Sequence, residues 1–368
     1  MTGSAAAIDT RTRYEAGALD AFCRAVLAAG GANDATADAV TRAMMHGSRL
    51  GIDSHGVRLL PHYVTVMQTG RVNPRPALRF VTALGAAASL DADNGHGALA
   101  AYTAMARAVE LAQAAGLGAV AIRNMSHFGP AGAYALAAAE AGCIGLAVCN
   151  SDSFVRLHEG AERFHGTNPI AVAVPCEGAR PWLLDMATSA IPYNRVQLYR
   201  SLGQPLPQNA ASAADGSDTT DANRAEMLAP LGGAFGFKGA GLAGFAEILS
   251  AVVTGMKLSF DLAPMIGSDM STPRGLGAFV LAIRPTAFID SATFAAGMRR
   301  YLDRLRNSRA AAGGTVMAPG DREWAEAARR ERDGVPIDPD TEAAFAAFAK
   351  RYGLAMPAAM RRQDAGAS

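Results

Sequence analysis

Between residues 97 and 149 the chain alternates helix-length and strand-length apolar segments, and this alternation commits it to an α/β sheet architecture. A helix is expected at about 97–115, a strand at 117–123, a helix at 130–141 and a strand at 144–149. Two more strand candidates, NPIAVAVP (168–175) and WLLD (182–185), flank Gly178 at hairpin spacing. The sheet is therefore predicted to be mixed rather than purely parallel. Upstream, residues 12–50 read as two amphipathic helices divided at Gly30-Gly31, with Leu19, Phe22, Val26 and Leu27 on one face of the first and Val40, Met44 and Met45 on the second. The turn GRVNPRP (70–76) leads into a strand-like segment at 78–92. Residues 203–229 are polar and aperiodic, which predicts a long surface loop or lid. A glycine-rich stretch (231–244), a helix (245–255) and a strand (276–283) follow. From 288 onward the chain reads as helical and charged, broken at Gly313-Gly314 and Pro319-Gly320, down to a polar tail after Pro357.

Composition narrows the function classes. With 368 residues and 50% hydrophobic content there is enough core for two domains or one large one. A formal net charge of +1 offers no electrostatic footprint for nucleic acid or an anionic membrane, so small molecules are the expected ligands. The four cysteines (Cys23, Cys143, Cys149, Cys176) lack CxxC spacing, which indicates neither a disulfide framework nor a zinc knuckle and fits a reducing cytoplasm. Asp9, Arg11, Arg13 and Glu15 precede any apolar stretch, and no apolar run approaches ~20 residues, so neither a signal peptide nor a membrane span is expected.

Three polar clusters at the ends of apolar runs hold the parts of a proton-transfer site: Ser54-His55-Gly56 with Arg58 and Tyr63, Ser126-His127-Phe128-Gly129, and Asp185-Met186-Ala187-Thr188. His55 has small polar neighbours and room for a ligand. Arg58 can clamp a carboxylate through two parallel hydrogen bonds, and Tyr63 can add a third. His127 lies just after a strand, where clefts form; it either caps the next helix or is aimed at a ligand. Asp185, behind Trp182-Leu183-Leu184, needs a partner once buried. A histidine is the natural one, fixing a tautomer and stabilising the imidazolium, although capping the turn at Thr188 is the plainer role. Gly239-x-Gly241-x-x-Gly244, with Asp261 beyond, matches the dinucleotide fingerprint but follows no β-branched strand, so close packing at a helix start is the better reading. Lys238, just before it, is placed either to meet a phosphate or to sit in solvent. His46, His62, His96, His158 and His165 are read as structural or surface residues, Asn168-Pro169 marks a turn, and no tight metal-ligand pattern is present.

These motifs, in this order, resemble the malate/L-lactate dehydrogenase family that is distinct from Rossmann-type lactate and malate dehydrogenases and includes ureidoglycolate and sulfolactate dehydrogenases and piperideine/pyrroline-2-carboxylate reductases. The matching segments are GIDSHGVRLLPHY (51–63), RNMSHFGPAGAYA (123–135), HGTNPIAVAVP (165–175), DMATS (185–189) and FKGAGLAGFAEILSAVVTG (237–255). The resemblance implies an α/β fold with a mixed-sheet, non-Rossmann NAD(P)-binding domain (76–284) and a helical domain built from both chain ends (1–75 and 285–368). It also implies a homodimer using NADP or NAD on a small 2-oxo, 2-hydroxy or cyclic 2-imino acid. Carried over by position, it makes Ser54, His55 and Asp185 a proton relay, with His127 as the alternative proton carrier. Thr167 joins Arg58 and Tyr63 at the substrate. His127, Phe128, Gly129, Pro130, Ala131, Ser151, Asp185, Met186, Ala187, Lys238 and Gly239 fall in cofactor-contacting segments. There are departures: Leu59 stands where the family commonly has arginine, IPYNRVQLYRSLGQ (191–204) differs from the commoner continuation, and Ala240 replaces a usual tyrosine. Arg195, Arg200 and Lys238 are candidates for a 2′-phosphate contact. The competing readings are a hydrolase with Ser54 as nucleophile and a nucleotide-binding sensor that has lost catalysis.

Overall fold

The computed structural model describes residues 11–360; Asp9 and the tail beyond 360 lie outside the described residues. The elements in chain order are β1 (Thr12–Tyr14), α1 (Ala16–Ala29), α2 (Asp34–Arg49), α3 (Leu60–Gln68), β2 (Arg79–Leu84), β3 (Ala87–Asp91), α4 (Gly97–Ala115), β4 (Leu117–Met125), α5 (Gly132–Glu140) and β5 (Ile144–Cys149). They continue with β6 (Val155–Arg156), β7 (Arg163–His165), β8 (Ile170–Val174), β9 (Trp182–Met186), α6 (Tyr193–Ser201), β10 (Ala211–Ser212), β11 (Met227–Leu228), α7 (Phe237–Glu247), β12 (Leu276–Ile283), α8 (Ser291–Arg306), α9 (Asp321–Asp333), β13 (Val335–Ile337) and α10 (Pro339–Tyr352).

The main sheet has seven strands in the order β2-β3-β4-β12-β5-β8-β9, and only β3 and β4 run parallel. The expected mixed sheet and the β8–β9 hairpin are both present. Side chains alternate between its faces with the strand period. Ala278, Val280 and Ala282 of β12, with Ala147 and Cys149 of β5, join the large core beneath α4 and α5, whereas Phe279, Leu146 and Val148 meet Ala246 of α7 on the opposite face. Alanine-rich α4 packs closely: Ala98, Ala101, Ala104, Ala108 and Ala112 are fully buried. Beyond α4 and α5 lies a helical layer drawn from both ends of the chain, in which α1 packs on α2 and α10, and α2 on α9. An antiparallel pair, β1 with β13, stitches these ends together from Thr12↔Ile337 to Tyr14↔Val335.

Three expectations need correction. The segment 78–92 is two strands turning at Gly85, because the chain folds back there with positive φ. The stretch 203–229 is no free lid: β10 and β11 join β6 and β7 in a second sheet, and Leu206, Ala211, Ala222, Ala225 and Leu228 bury themselves against Val155 and Val196. Residues polar in sequence thus conceal small apolar side chains at the few positions that matter. Helix α7 starts at Phe237 rather than 245 and passes into a π turn at Ile248–Val252, so Gly239, Gly241 and Gly244 lie inside it. The strands β1 and β13 carry too few residues to show a period.

Candidate active site

The ladder brings the sequence-predicted residues to one end of the main sheet. Leu276 opens β12 opposite Met125 at the end of β4, Ala278 pairs with Cys149 at the end of β5, Val148 with Ile170, and Ile170 with Met186. His127, Ser151, Thr167 and Asp185 therefore leave the sheet side by side. That end of the sheet is where a small molecule can meet groups from several strands.

The helical layer adds the other half. A single 3₁₀ turn, Asp53–His55, follows α2 and is pinned from beneath: Val57 N–H donates to Ser48 Oγ at 2.9 Å, and the Asp53 carboxylate pairs with Arg330 of α9, whose Nη1 also donates to Ser48 O at 2.7 Å. This holds the His55 ring stacked at 5.8 Å from His127, with 22° between planes. Each ring has its Nδ1 occupied by a hydroxyl. Ser54 Oγ lies 2.9 Å from Nδ1 of His55, and Tyr63 Oη lies 2.8 Å from Nδ1 of His127. The two Nε2 atoms have no protein partner among the described residues, so two neighbouring imidazoles present the same free nitrogen. Burial pushes the His55 imidazole down to about 4, and burial reinforced by His55, His62, Arg274 and His96 pushes His127 well below the usual range. Both rings are neutral at neutral pH and ready to accept a proton.

Tyr63 is buried, its phenol held neutral by burial, and its ring meets His96 edge-on at 4.2 Å. His96 in turn caps α4, accepting from Ala98 N–H at 3.1 Å. Tyr63 thus orients His127 rather than standing free to bind a substrate carboxylate, and His127 caps no helix. Arg58 also departs from its expected place: it is exposed and lines a small cleft with Asp338 and Thr341 at the start of α10. A one-residue shift on a tight turn sends the side chain to the outer side.

Asp185 does not hold an imidazole. Its Oδ2 accepts the Gly132 N–H at 2.9 Å, capping α5, and no ring nitrogen bonds to it. Burial raises its carboxyl to about 6. Gly132 was absent from the sequence reading, yet a Cβ there would lie 2.7 Å from Asp185 Oδ2, so the contact needs glycine. The one available signal was the glycine opening the helix after SHFGPA. Without Asp185 on His55, the Ser-His-Asp hydrolase triad is not assembled.

The expected cofactor segments converge around Asp185. Thr167 N–H donates to Ser151 Oγ at 3.0 Å, Ser151 N–H to Asn168 Oδ1 at 3.2 Å, Thr188 N–H to Thr167 O at 2.9 Å and Leu231 N–H to Thr188 O at 2.9 Å. Gly239 packs on Leu231, where a Cβ would lie 2.2 Å from its carbonyl oxygen, which confirms the close-packing reading of that glycine. Lys238 beside it is exposed, its ammonium 5.3 Å from the Phe235 ring. Phe128 faces the core against Tyr134 and, like Gly129, Pro130 and Ala131, is buried. Arg195 and Arg200 are exposed on α6, and Arg200 donates to Ala222 O. A carboxyl that titrates near neutrality, paired hydroxyls and an exposed ammonium form a donor set suited to a nicotinamide dinucleotide. Among the described residues no group of three His, Cys, Asp or Glu is arranged to hold a metal ion.

Comparison with known proteins agrees with this geometry. Residues 14–345 match the malate/L-lactate dehydrogenase family model. The chain is 37% identical over 266 residues to a malate dehydrogenase of Pyrococcus abyssi, covering 70% of this chain and 72% of that one. It is 33% identical over 325 residues to a Δ1-pyrroline-2-carboxylate reductase of Pseudomonas fluorescens, covering 87% and 94%. The solved structure of sulfolactate dehydrogenase from Methanocaldococcus jannaschii superposes with a TM-score of 0.88 at 29% identity, covering 94% of this chain and 98% of that one. With its mixed sheet and these matches over most of its length, the chain belongs to the malate/L-lactate dehydrogenase family and is an NAD(P)-dependent oxidoreductase.

Proposed function

We propose that this enzyme moves a hydride between the nicotinamide and C2 of a small 2-oxo/2-hydroxy acid or cyclic 2-imino acid, with His55 carrying the accompanying proton. The observation behind this reading is the stacked imidazole pair with both Nε2 atoms free. When bound, the nicotinamide supplies or takes up the hydride. Ser151, the Asp185–Ala187 backbone and Lys238 would hold the cofactor, with Lys238 facing a phosphate, and Thr167 beside Ser151 would meet the substrate. His55 is the better proton carrier because burial alone depresses it, whereas His127 is further opposed by the Arg274 guanidinium and anchored to a buried phenol. Its Nε2 takes the proton from the C2 hydroxyl during oxidation and returns it during reduction. Ser54 keeps the ring turned. Residues 1–75 with 285–368 would form the helical catalytic unit that carries His55, and 76–284 the cofactor unit that carries His127.

The four unpaired cysteines fit a reducing cytoplasm, and no helix of the described residues is long and apolar enough to cross a membrane. A homodimer is the assembly best supported by α7. Phe237, Phe245, Ile248 and Val252 are exposed along one stripe, while a Cβ at Gly241 or Gly244 would meet nothing within 4 Å. Large side chains alternating with gaps suit self-packing across a twofold axis. Light scattering of Ile248→Asp should report half the wild-type mass; an unchanged mass would remove α7 from the interface. The function itself is tested by oxidation of NADH and NADPH across a panel of 2-oxo and cyclic imino acids. Turnover with one class supports the reading and names the cofactor; cofactor binding with no turnover on any member sinks it.

A further inference from the structure

The substrate side of the site lacks the cation expected from Arg58, yet two other guanidiniums lie within electrostatic reach of the histidines, Arg274 of His127 and His62 and Arg71 of His62. Arg274 lies two residues before β12, whose first residue faces Met125, so it is near the sheet end from which His127 emerges. Arg71 follows α3, the helix that carries His62 and Tyr63. Both are buried, at 3% and 2% exposure.

Their hydrogen bonds leave capacity to spare. Arg274 Nε donates to Ala263 O at 2.8 Å and Nη2 to Asp152 Oδ1 at 2.5 Å, while Nη1 has no partner among the described residues. Arg71 donates only to backbone carbonyls, those of Pro264, Met265 and Asp269, and its Nε is unpartnered. Asp152 is the one carboxylate paired with either guanidinium; the Asp269 carboxylate instead accepts from Ser271 and Thr272. Two buried positive charges therefore share one directly bound negative charge. A buried charge without a counter-ion is costly, and an incoming anion removes that cost.

We propose that Arg274, with Arg71 as a second cation, binds the substrate carboxylate, in the role that neither Arg58 nor Leu59 can fill. The assignment rests on the hydride-transfer reading above. Arg274 presents Nη1 as the donor, and Asp152 fixes its plane. The proximity of these charges is also felt by the imidazoles, since Arg274 depresses both His62 and His127, and Arg71 depresses His62. A bound carboxylate would offset that field, so substrate binding would also ease protonation of the imidazoles.

The test compares a 2-oxo acid with its carboxamide, each as substrate for wild type, Arg274→Gln, Arg274→Lys and Arg71→Gln. Arg274→Gln should raise KM for the acid at least tenfold with little change for the carboxamide or in cofactor Kd, Arg274→Lys should recover part of the loss, and Arg71→Gln should raise acid KM about threefold. If Arg274→Gln does not fold, the paired Arg274→Gln/Asp152→Asn variant removes both charges together and serves the same comparison. Equal KM increases for acid and carboxamide, or none for either, would show that the arginines only staple the 262–274 loop and would overturn the assignment. Failure of wild type to reduce any acid or imine would instead remove the hydride-transfer reading beneath it.

Discussion

The two halves of the imidazole pair are built differently. His55 sits on a single 3₁₀ turn, with a serine from the adjacent position as its ring partner, and only burial acts on its proton affinity. His127 leaves a nine-residue strand, is bonded to a buried tyrosine 64 positions away that packs on a helix-capping histidine, and feels the Arg274 guanidinium. One half is locally held and free to change protonation; the other is tied into the core and biased toward neutrality. The contrast suggests a division of labour in which His55 moves the proton and His127 shapes the cavity and positions the reacting group.

The largest test of that division is truncation of each ring. His55→Ala should lower kcat by about 10³-fold with cofactor Kd nearly unchanged, while His127→Ala should act mainly on KM. If kcat falls with His127→Ala and not with His55→Ala, the roles are reversed. Next in size is Asp185→Asn, which probes the rigid half. The Asp185 carboxyl is raised from 3.8 to about 6, so the fold favours its neutral form; that stability is present below about pH 4 and lost as pH rises through about 6. The difference is worth roughly 3 kcal/mol. Wild-type Tm should therefore drop between pH 4 and 7 relative to Asp185→Asn, whose amide oxygen can still accept from Gly132; parallel curves would mean the carboxyl is not desolvated.

A pH–rate profile refines the comparison further. With His55 depressed to about 4, oxidation needs the neutral ring and should be flat above about pH 5, while reduction needs the charged ring and should fall by roughly tenfold per unit above its pKa. A reduction limb that stays level to pH 7 would show that bound substrate, through the arginine pair, resets the proton affinity. The smallest expected effects come from the two hydroxyls. Tyr63→Phe should cost about 1 kcal/mol in stability and Ser54→Ala less, because only the first removes a buried hydrogen bond anchored in the core. Equal losses in thermal denaturation would erase the proposed difference between local and core anchoring.

Much of this was legible in the sequence for a physical reason. Helix and strand periods marked α1, α2, α4, α5, β4, β5, β8 and β9, and polar residues at strand ends marked His127 and Asp185. What stayed hidden depends on direction rather than residue type. Arg58 lies one position from an inward-facing one, and nothing in its composition says which way a 3₁₀ turn points it. Asp185 was assigned a histidine because imidazoles were the obvious partners, but a main-chain N–H across 53 residues claimed it, and backbone amides leave no mark in a sequence. Arg274 and Arg71 sit in segments without periodicity, and only the folded chain brings their charges within reach of the histidines.

The salt bridge between Asp53 and Arg330 spans 277 positions, and the β1–β13 ladder ties residue 12 to residue 337. On a ribosome, the turn that aims His55 is made early, while its Arg330 fastener and the β13 strand are made near the end of synthesis. The nascent protein would thus complete its sheet and cofactor segments before its proton carrier is locked in place. Activity would arrive as one of the last events of folding, so a partly made chain would not release half-controlled redox chemistry into the cell.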